Sequence, residues 1–165
     1  MSKLLHLLPL HLLIVESPYY EDITNELIKG AVDALEKAGA TYDRISVPGA
    51  FEIPAAIRFA ADAIAGTGQN SNDGAGRKNY DGYVALGCVI RGETSHYDYV
   101  CGETARGLQD LAIKDRLAIG YGVLTVENRD QAWARASVDK GNKGGFVTEV
   151  ALRMIELKQK FGLIE

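Results

Sequence analysis

The chain has 165 residues, of which 47% are hydrophobic and 24% charged, and its formal net charge is -4. This length fits one domain with a substantial core, and the negative balance argues against a nucleic-acid surface, which needs a basic face. The two cysteines, Cys88 and Cys101, form no CxxC pair and no His/Cys cluster, so neither a disulfide framework nor a zinc site is expected. Two free thiols suit a reducing compartment, and we expect a cytoplasmic protein.

The N-terminal segment 4–15 is apolar but is interrupted by two histidines and Pro9, and it ends at Glu16. It is too short to span a bilayer, and no small-residue cleavage site follows it. We therefore expect neither a membrane span nor a signal peptide. Residues 1–9 are interpreted as an N-terminal arm, and residues 10–15 as a first buried strand.

The rest of the chain alternates between helix-like and strand-like segments. Apolar positions at helical spacing predict helices over 20–38, 52–65 and 97–113, and a last helix that begins at 130–136, is interrupted at 140–145 and continues over 146–161. Apolar runs predict three further strands, over 42–47, 82–90 and 118–126. The segment 66–79 is rich in Gly, Asn and Ser and is expected to form a surface loop.

The predicted strands are apolar throughout, which is typical of strands covered by helices on both faces. Repeated βα units predict a parallel sheet with right-handed crossovers. We therefore predict an α/β protein: a three-layer α/β/α sandwich with a four-stranded parallel, flavodoxin-like sheet, in a single domain over 1–165. Such folds bind ligands beyond the carboxyl ends of their strands, so functional residues are sought at 16–20, 47–52, 88–96 and 125–128.

The segment after the third strand contains Gly92 and then enters a helix. The free backbone N–H groups and the dipole of such a helix start form a ready anion site. Thr94 and Ser95 could add hydroxyl donors, and His96 offers an imidazole, a side chain suited to acid–base chemistry. A capped helix start with an ordinary surface histidine explains the same local pattern equally well. Cys88 precedes this segment in an apolar strand, where a buried structural thiol is expected rather than a nucleophile.

Three other segments offer candidate ligand contacts. Pro48-Gly49 predicts a tight turn into a helix, where Glu52 could bind a polar substrate or only complement the helix dipole. Tyr19, after the first strand, could stack on a flat heterocycle or only cover the edge of the core. Arg135 could bind a phosphate bidentately, and Lys143 lies in the basic segment that follows. Taken singly, each of these patterns favours the structural role.

Four segments taken together resemble the lumazine synthase family, and they occur in the family's order: 47–54 (VPGAFEIP), 86–100 (LGCVIRGETSHYDYV), 124–128 (LTVEN) and 141–144 (GNKG). The second segment is long and highly specific, and the resemblance covers residues 12–160. It implies the same α/β/α fold and an enzyme that condenses 5-amino-6-(D-ribitylamino)uracil with 3,4-dihydroxy-2-butanone 4-phosphate. The product is 6,7-dimethyl-8-ribityllumazine, the direct precursor of riboflavin, and the resemblance implies neither a cofactor nor a metal.

The resemblance also implies roles for individual residues. His96 matches the family's proton-transfer histidine, and Arg135 matches its phosphate-binding arginine. Glu93 and Thr94 match the loop whose backbone holds the phosphate, and Tyr19 matches the aromatic residue that stacks on the pyrimidine. The positions implied to line the uracil and ribityl pocket are Ala50, Phe51, Glu52, Cys88, Val89, Ile90 and Tyr121, with Lys143 as a less certain neighbour.

The family's quaternary structure sets a further expectation. Its members form homopentamers, some of which build larger shells, and their active sites lie between neighbouring subunits. Tyr121 would then reach the pocket of an adjacent chain. Riboflavin synthase is a candidate partner, whereas nucleic acid and membrane are not expected.

The chain departs from the commonest family pattern at three places. Position 19 is more often Phe or Trp, Pro18 replaces a residue that is often Arg, and the 66–79 loop is longer than in compact members. Three alternatives to the enzyme remain open: a paralogue that binds ribityl ligands without catalysis, a flavodoxin-like carrier of a flavin phosphate, and a structural shell protein.

Overall fold

A computed structural model describes residues 9–65 and 79–164. The elements in chain order are β1 (His11–Glu16), α1 (Glu21–Lys37), β2 (Thr41–Ser46), a 3₁₀ turn (Ala50–Glu52), α2 (Ile53–Ala65), β3 (Gly82–Ile90), α3 (His96–Lys114), β4 (Ile119–Val126), α4 (Arg129–Ala136) and α5 (Lys143–Lys160). Nearly all of the predicted arm (1–9) and loop (66–79) lies outside the described residues. Within the described segments, no helix combines the length and the hydropathy that a membrane span requires.

The four strands form one parallel sheet in the order β2-β1-β3-β4. Alternate residues of the central strands face opposite layers, so that Leu12 and Ile14 pack with α1, α4 and α5. Leu13 and Val15 pack with α2 and α3 on the other face. This arrangement confirms the predicted three-layer α/β/α sandwich with a flavodoxin-like sheet.

The helices α1 and α5 pack closely because glycine removes the side chain at their contact. A β-carbon added to Gly144 would lie 2.6 Å from the carbonyl carbon of Leu27 and closer still to its oxygen. Such approaches are impossible for real carbon atoms, so the first turn of α5 can rest on α1 only with glycine at this position.

The apolar character predicted for all four strands is wrong for β2. This strand lies at the sheet edge with β1 as its neighbour, and its six residues are exposed or half-buried. Edge position explains the charged residues Asp43 and Arg44, because charges discourage edge-to-edge pairing. Arg44 also forms a two-point ion pair with the buried carboxylate of Glu16, at 3.0 and 2.8 Å, which fixes the end of β2 to the end of β1.

The predicted interruption at 140–145 is also misplaced. The break covers 137–142, and Lys143 begins α5. Asn142 causes the difference: its backbone is left-handed, with φ 43°, and its side-chain Oδ1 accepts a hydrogen bond from the N–H of Gly145 at 3.3 Å. Asparagine tolerates the left-handed conformation better than most residues and is a preferred N-cap, so it starts the helix sooner than the glycines suggest.

Candidate active site

A cavity of about 520 Å³ opens at the carboxyl ends of β1 and β3. Four segments build its wall: the end of β3, the loop and first turn of α3, the 3₁₀ turn, and the two tyrosines after β1. The parallel sheet brings these segments together because the carboxyl ends of its strands lie at one edge. The site residues predicted from the sequence that line this cavity are Tyr19, Ala50, Phe51, Glu52, Cys88, Val89, Ile90, Thr94 and His96.

Four other predicted site residues do not line it. Glu93 is exposed in the loop before α3, and Tyr121 is 44% exposed near the middle of β4. Arg135 is exposed on α4, where its Nη1 donates a hydrogen bond to the carbonyl oxygen of Gln131 at 3.0 Å. Lys143, in the first turn of α5, places its ammonium 4.7 Å from the centre of the Phe146 ring. Within one chain, these residues therefore stand outside the cavity.

Five lining residues were not among the site residues predicted from the sequence: Tyr20, Gly49, Gly92, Tyr97 and Val100. Helical spacing could have identified one of them, because His96 and Val100 lie four residues apart and so share one face of α3. Tyr20 packs edge-on against Tyr19, with the ring centres 5.0 Å apart and the planes at 70°. The cavity therefore has an aromatic pair at its mouth rather than one stacking ring.

The Cys88 thiol lies in the cavity wall but is 4% exposed. Burial raises its pKa to about 12, because a thiolate would be poorly solvated there. Burial also raises the pKa of Cys101, a half-buried residue of α3. Cys88 therefore remains a neutral thiol near pH 7, which agrees with the structural role expected for it rather than with a nucleophile.

The first turn of α3 borders the cavity through Thr94, His96 and Tyr97. Ser95 is its N-cap residue, yet the Ser95 side chain makes no capping hydrogen bond. Among the described residues, the N–H of His96 donates to the Thr94 hydroxyl alone, at a long 3.4 Å. A helix start with amides this weakly engaged presents positive partial charge to an anion.

The charge of the cavity is set by few groups. Among the described residues that line it, Glu52 is the one carboxylate and His96 the one imidazole, and none is lysine or arginine. The cavity can therefore hold a flat, polar molecule against aromatic and apolar walls. A phosphate would meet amide dipoles there, and a full positive charge would have to come from elsewhere.

One guanidinium lies just behind the cavity wall, in a group of four residues that we name the Arg91 cluster: Arg91, Tyr97, Asp98 and Glu127. Arg91 Nε donates to Glu127 Oε2 at 2.8 Å, and its Nη1 and Nη2 each lie 3.3 Å from Asp98 Oδ1. The guanidinium carbon is 4.2 Å from the centre of the Tyr97 ring. These contacts join the ends of β3 and β4 to the first turn of α3.

A second cavity, of about 410 Å³, lies where α4 meets the start of α1. Asp22 and Arg129 form an ion pair across it, and Asp130, Lys140 and Trp133 complete the wall. Trp133 is 38% exposed. Its described lining holds two acidic and two basic side chains, so this cavity offers no single charge preference.

Comparison with known proteins places the chain in a family. The family model described as 6,7-dimethyl-8-ribityllumazine synthase matches residues 9–159. The 6,7-dimethyl-8-ribityllumazine synthase of Bartonella tribocorum is 57% identical over 152 residues, which cover 92% of each chain. The synthase of Agrobacterium fabrum is 56% identical over 152 residues, covering 92% of this chain and 97% of the relative. The 6,7-dimethyl-8-ribityllumazine synthase 1 of Rhizobium meliloti is 54% identical over 154 residues, covering 93% and 95%.

The matched region contains both motif segments that build the cavity, 49–52 and 88–96. It also contains Tyr121, Arg135 and Lys143, the predicted residues that lie outside the cavity. These relatives share more than half of their residues with this chain over about nine-tenths of its length, so the match covers the whole domain and its fold. The chain therefore belongs to the 6,7-dimethyl-8-ribityllumazine synthase family of enzymes.

Proposed function

We propose that the cavity at the carboxyl ends of β1 and β3 is the site where this enzyme makes 6,7-dimethyl-8-ribityllumazine, the penultimate step of riboflavin biosynthesis. The substrates are 5-amino-6-(D-ribitylamino)uracil and 3,4-dihydroxy-2-butanone 4-phosphate, and phosphate and water leave. The observation that carries the proposal is the convergence of segments 49–52 and 88–96 on one cavity. Segment 88–96 belongs to the most specific motif that the chain shares with the family, and segment 49–52 belongs to another of the shared motifs.

The cavity offers a place for each substrate. The pyrimidine ring lies against Tyr19, and its polar edge and ribityl chain contact the 3₁₀ turn and the end of β3. Glu52 supplies a carboxylate to accept hydrogen bonds from the ring or the ribityl hydroxyls. The phosphate of the second substrate lies at the first turn of α3, near Thr94 and the backbone of Glu93, because the helix dipole favours an anion there.

A neighbouring copy completes the site. The described lining contains no lysine or arginine, although a departing phosphate calls for a cation. Arg135 is exposed and holds no carboxylate partner among the described residues, so its guanidinium is available to another chain. Tyr121 and Lys143 accompany Arg135 in this arrangement, in a homopentamer or a shell built from pentamers. Riboflavin synthase, which consumes the product, is the proposed partner, and the free thiols agree with a cytoplasmic location.

Once the substrates are aligned, proton transfers are what the protein must supply to each bond-forming and bond-breaking step. The aryl amine attacks the ketone and forms a carbinolamine, which loses water to give an imine. Loss of a proton beside the imine then allows phosphate to leave. The resulting enol tautomerises to a second carbonyl, and the ribityl-bearing nitrogen attacks it and closes the ring with loss of water.

His96 is positioned to move these protons, since it stands at the cavity next to the phosphate-binding turn. An imidazole can act as acid and base near neutral pH, and such catalysis typically contributes about 10²–10⁴-fold. Alignment of two bound substrates contributes more, roughly 7–11 kcal/mol in favourable cases. Removal of His96 should therefore slow the enzyme without abolishing turnover.

The decisive experiment mixes the two substrates with purified protein and follows lumazine absorbance together with release of inorganic phosphate. We expect product from the wild-type protein and about 10²–10⁴-fold slower turnover from His96→Ala. Lys114→Ala, at the far end of the same helix, is the matched control and should behave as wild type. Wild-type protein that binds substrate without making product would refute the proposal, and an unimpaired His96→Ala variant would remove His96 from the mechanism.

A further inference from the structure

No side-chain hydrogen bond among the described residues holds the His96 ring, so the backbone of the first turn of α3 largely determines where the ring lies. Among the described residues, the hydrogen bond at His96 involves its backbone N–H and not its imidazole. The Ser95 N-cap side chain gives the turn no capping bond either. Whatever holds the first turn of α3 in place therefore also sets where the imidazole stands in the cavity.

The Arg91 cluster ties this turn to the ends of β3 and β4. The guanidinium binds the carboxylate of Asp98 and covers the ring of Tyr97, the two residues that follow His96. The same group donates to Glu127, beyond the end of β4. The backbone of Arg91 is itself fixed, since its N–H donates to the carbonyl of Val126 at 2.9 Å.

We infer that Arg91 is a positioning residue of the condensation reaction: it fixes the first turn of α3 to the sheet and thereby places the His96 imidazole. It touches neither substrate, because its guanidinium is occupied by two carboxylates and an aromatic face outside the cavity lining. The inference rests on the proposed role of His96. A planar guanidinium suits this task because its fork reaches two carboxylates while its face stacks on a ring.

Because the Arg91 cluster is exposed, a positioning role in catalysis can be distinguished experimentally from a role in stability. The side chains of Arg91, Asp98 and Glu127 are 39%, 59% and 57% exposed. Exposed ion pairs contribute little to folding because water and salt screen them. Their loss should therefore leave the fold intact, whereas a displacement of about 1 Å at a catalytic group can cost on the order of 10²-fold in rate.

The test is a double-mutant cycle between positions 91 and 96, measured in the assembled enzyme with both substrates. We expect Arg91→Ala to lower kcat by about 10–100-fold while changing each KM by less than about 3-fold. In the His96→Ala background the same substitution should lower kcat by less than about 3-fold, because no imidazole remains to be misplaced. Arg91→Lys, which keeps the charge but loses the planar fork, should recover part of the rate.

Arg106→Ala is the matched control, since Arg106 lies on α3 and, like Arg91, binds two exposed carboxylates, here those of Glu103 and Asp110. It should leave kcat unchanged, and neither arginine variant should lower Tm by more than about 4 °C. Sedimentation confirms that each sample is assembled. If Arg91→Ala does not assemble, Glu127→Gln and Asp98→Asn remove the same contacts more gently and enter the same cycle.

Two outcomes would overturn the inference. An equal loss of kcat in both backgrounds would mean that Arg91 acts independently of His96. A large rise in KM with unchanged kcat would mean that Arg91 serves substrate binding. Failure of the proposed function is a different result: the wild-type protein would then bind substrate without making lumazine, whatever Arg91→Ala does. An unimpaired His96→Ala variant would remove the role of His96 on which the inference rests.

Discussion

The absence of lysine and arginine from the described cavity lining leads to a prediction about mixed assemblies. If Arg135 serves the cavity of an adjacent copy, a His96→Ala chain and an Arg135→Ala chain can complement each other, because a cavity between them can contain both His96 and Arg135. In a random 1:1 assembly, half of the cavities keep His96, and half of those face a neighbour that keeps Arg135. About a quarter of the sites are then complete in a closed ring of subunits.

The expected kcat/KM of the mixed assembly is therefore about a quarter of the wild-type value. Each variant alone should fall well below that level: His96→Ala by about 10²–10⁴-fold, and Arg135→Ala by about 10–100-fold through loss of a charge-assisted contact. The two chains are unfolded and refolded together, and lumazine formation is followed at low butanone phosphate.

In a first control, the two variants are assembled separately and then mixed without refolding, which shows whether subunits exchange between finished assemblies. A second control refolds His96→Ala chains with chains that carry both substitutions, and it should show no rescue. Activity equal to the sum of the two separate variants would refute the shared site, because an Arg135 that serves its own chain's cavity cannot be complemented.

Three further predictions concern stability. Gly144→Ala should destabilise the fold by about 1–3 kcal/mol in urea unfolding, because its new methyl group would overlap the carbonyl of Leu27. Arg44→Met should destabilise it by about 1–3 kcal/mol, because the carboxylate of Glu16, 7% exposed, would lose its charged partner. The raised pKa of Cys88, about 12, means that the folded protein holds its proton longer than the unfolded chain, whose thiol titrates near 9.0. The stability that depends on the neutral Cys88 thiol is therefore fully present below about pH 9 and is lost as the pH rises towards 12. Cys88→Ala should flatten this alkaline part of the curve of stability against pH.

Each of these substitutions has a matched comparison. Gly102→Ala, where an added β-carbon meets nothing within 4 Å, should stabilise α3 by about 0.5–1 kcal/mol. The double variant Glu16→Gln, Arg44→Met should be more stable than Arg44→Met alone, since no buried charge remains unpaired. Cys88→Ala should also retain turnover, with any effect confined to substrate binding at the cavity wall, and a full loss of turnover would contradict the assignment of Cys88 as a structural thiol.

The three layers of the fold could be predicted from the hydrophobic pattern, because helices cover both faces of each central strand and its residues are therefore mostly apolar. The pattern could not predict the exposure of β2, since residues such as Ile45 and Val47 suit an edge strand as well as a central one. It also misplaced the break before α5, because the glycines at 144 and 145 suggest a loop when read without the cap at Asn142. Glycine there serves close packing against α1, which depends on tertiary contacts.

The candidate site was predictable to the extent that it is local in sequence. The residues after β2 and β3 lie in two continuous motifs, and the parallel sheet brings them to one cavity. Tyr20 and Tyr97 were missed because each stands beside a residue already assigned, Tyr19 and His96. The Arg91 cluster could not be read from spacing, because Glu127 is 36 residues away along the chain and is brought near only by the pairing of β3 with β4.

Trp133 is the one tryptophan in the sequence, and it stands two positions before Arg135 on α4. Because Trp133 is partly exposed, its indole fluorescence should change when a ligand or a neighbouring subunit contacts its face of α4. The protein thus carries an intrinsic optical reporter on the same helix as Arg135. Emission spectra of unlabelled protein can follow events at α4 in real time, with no dye or added reporter group.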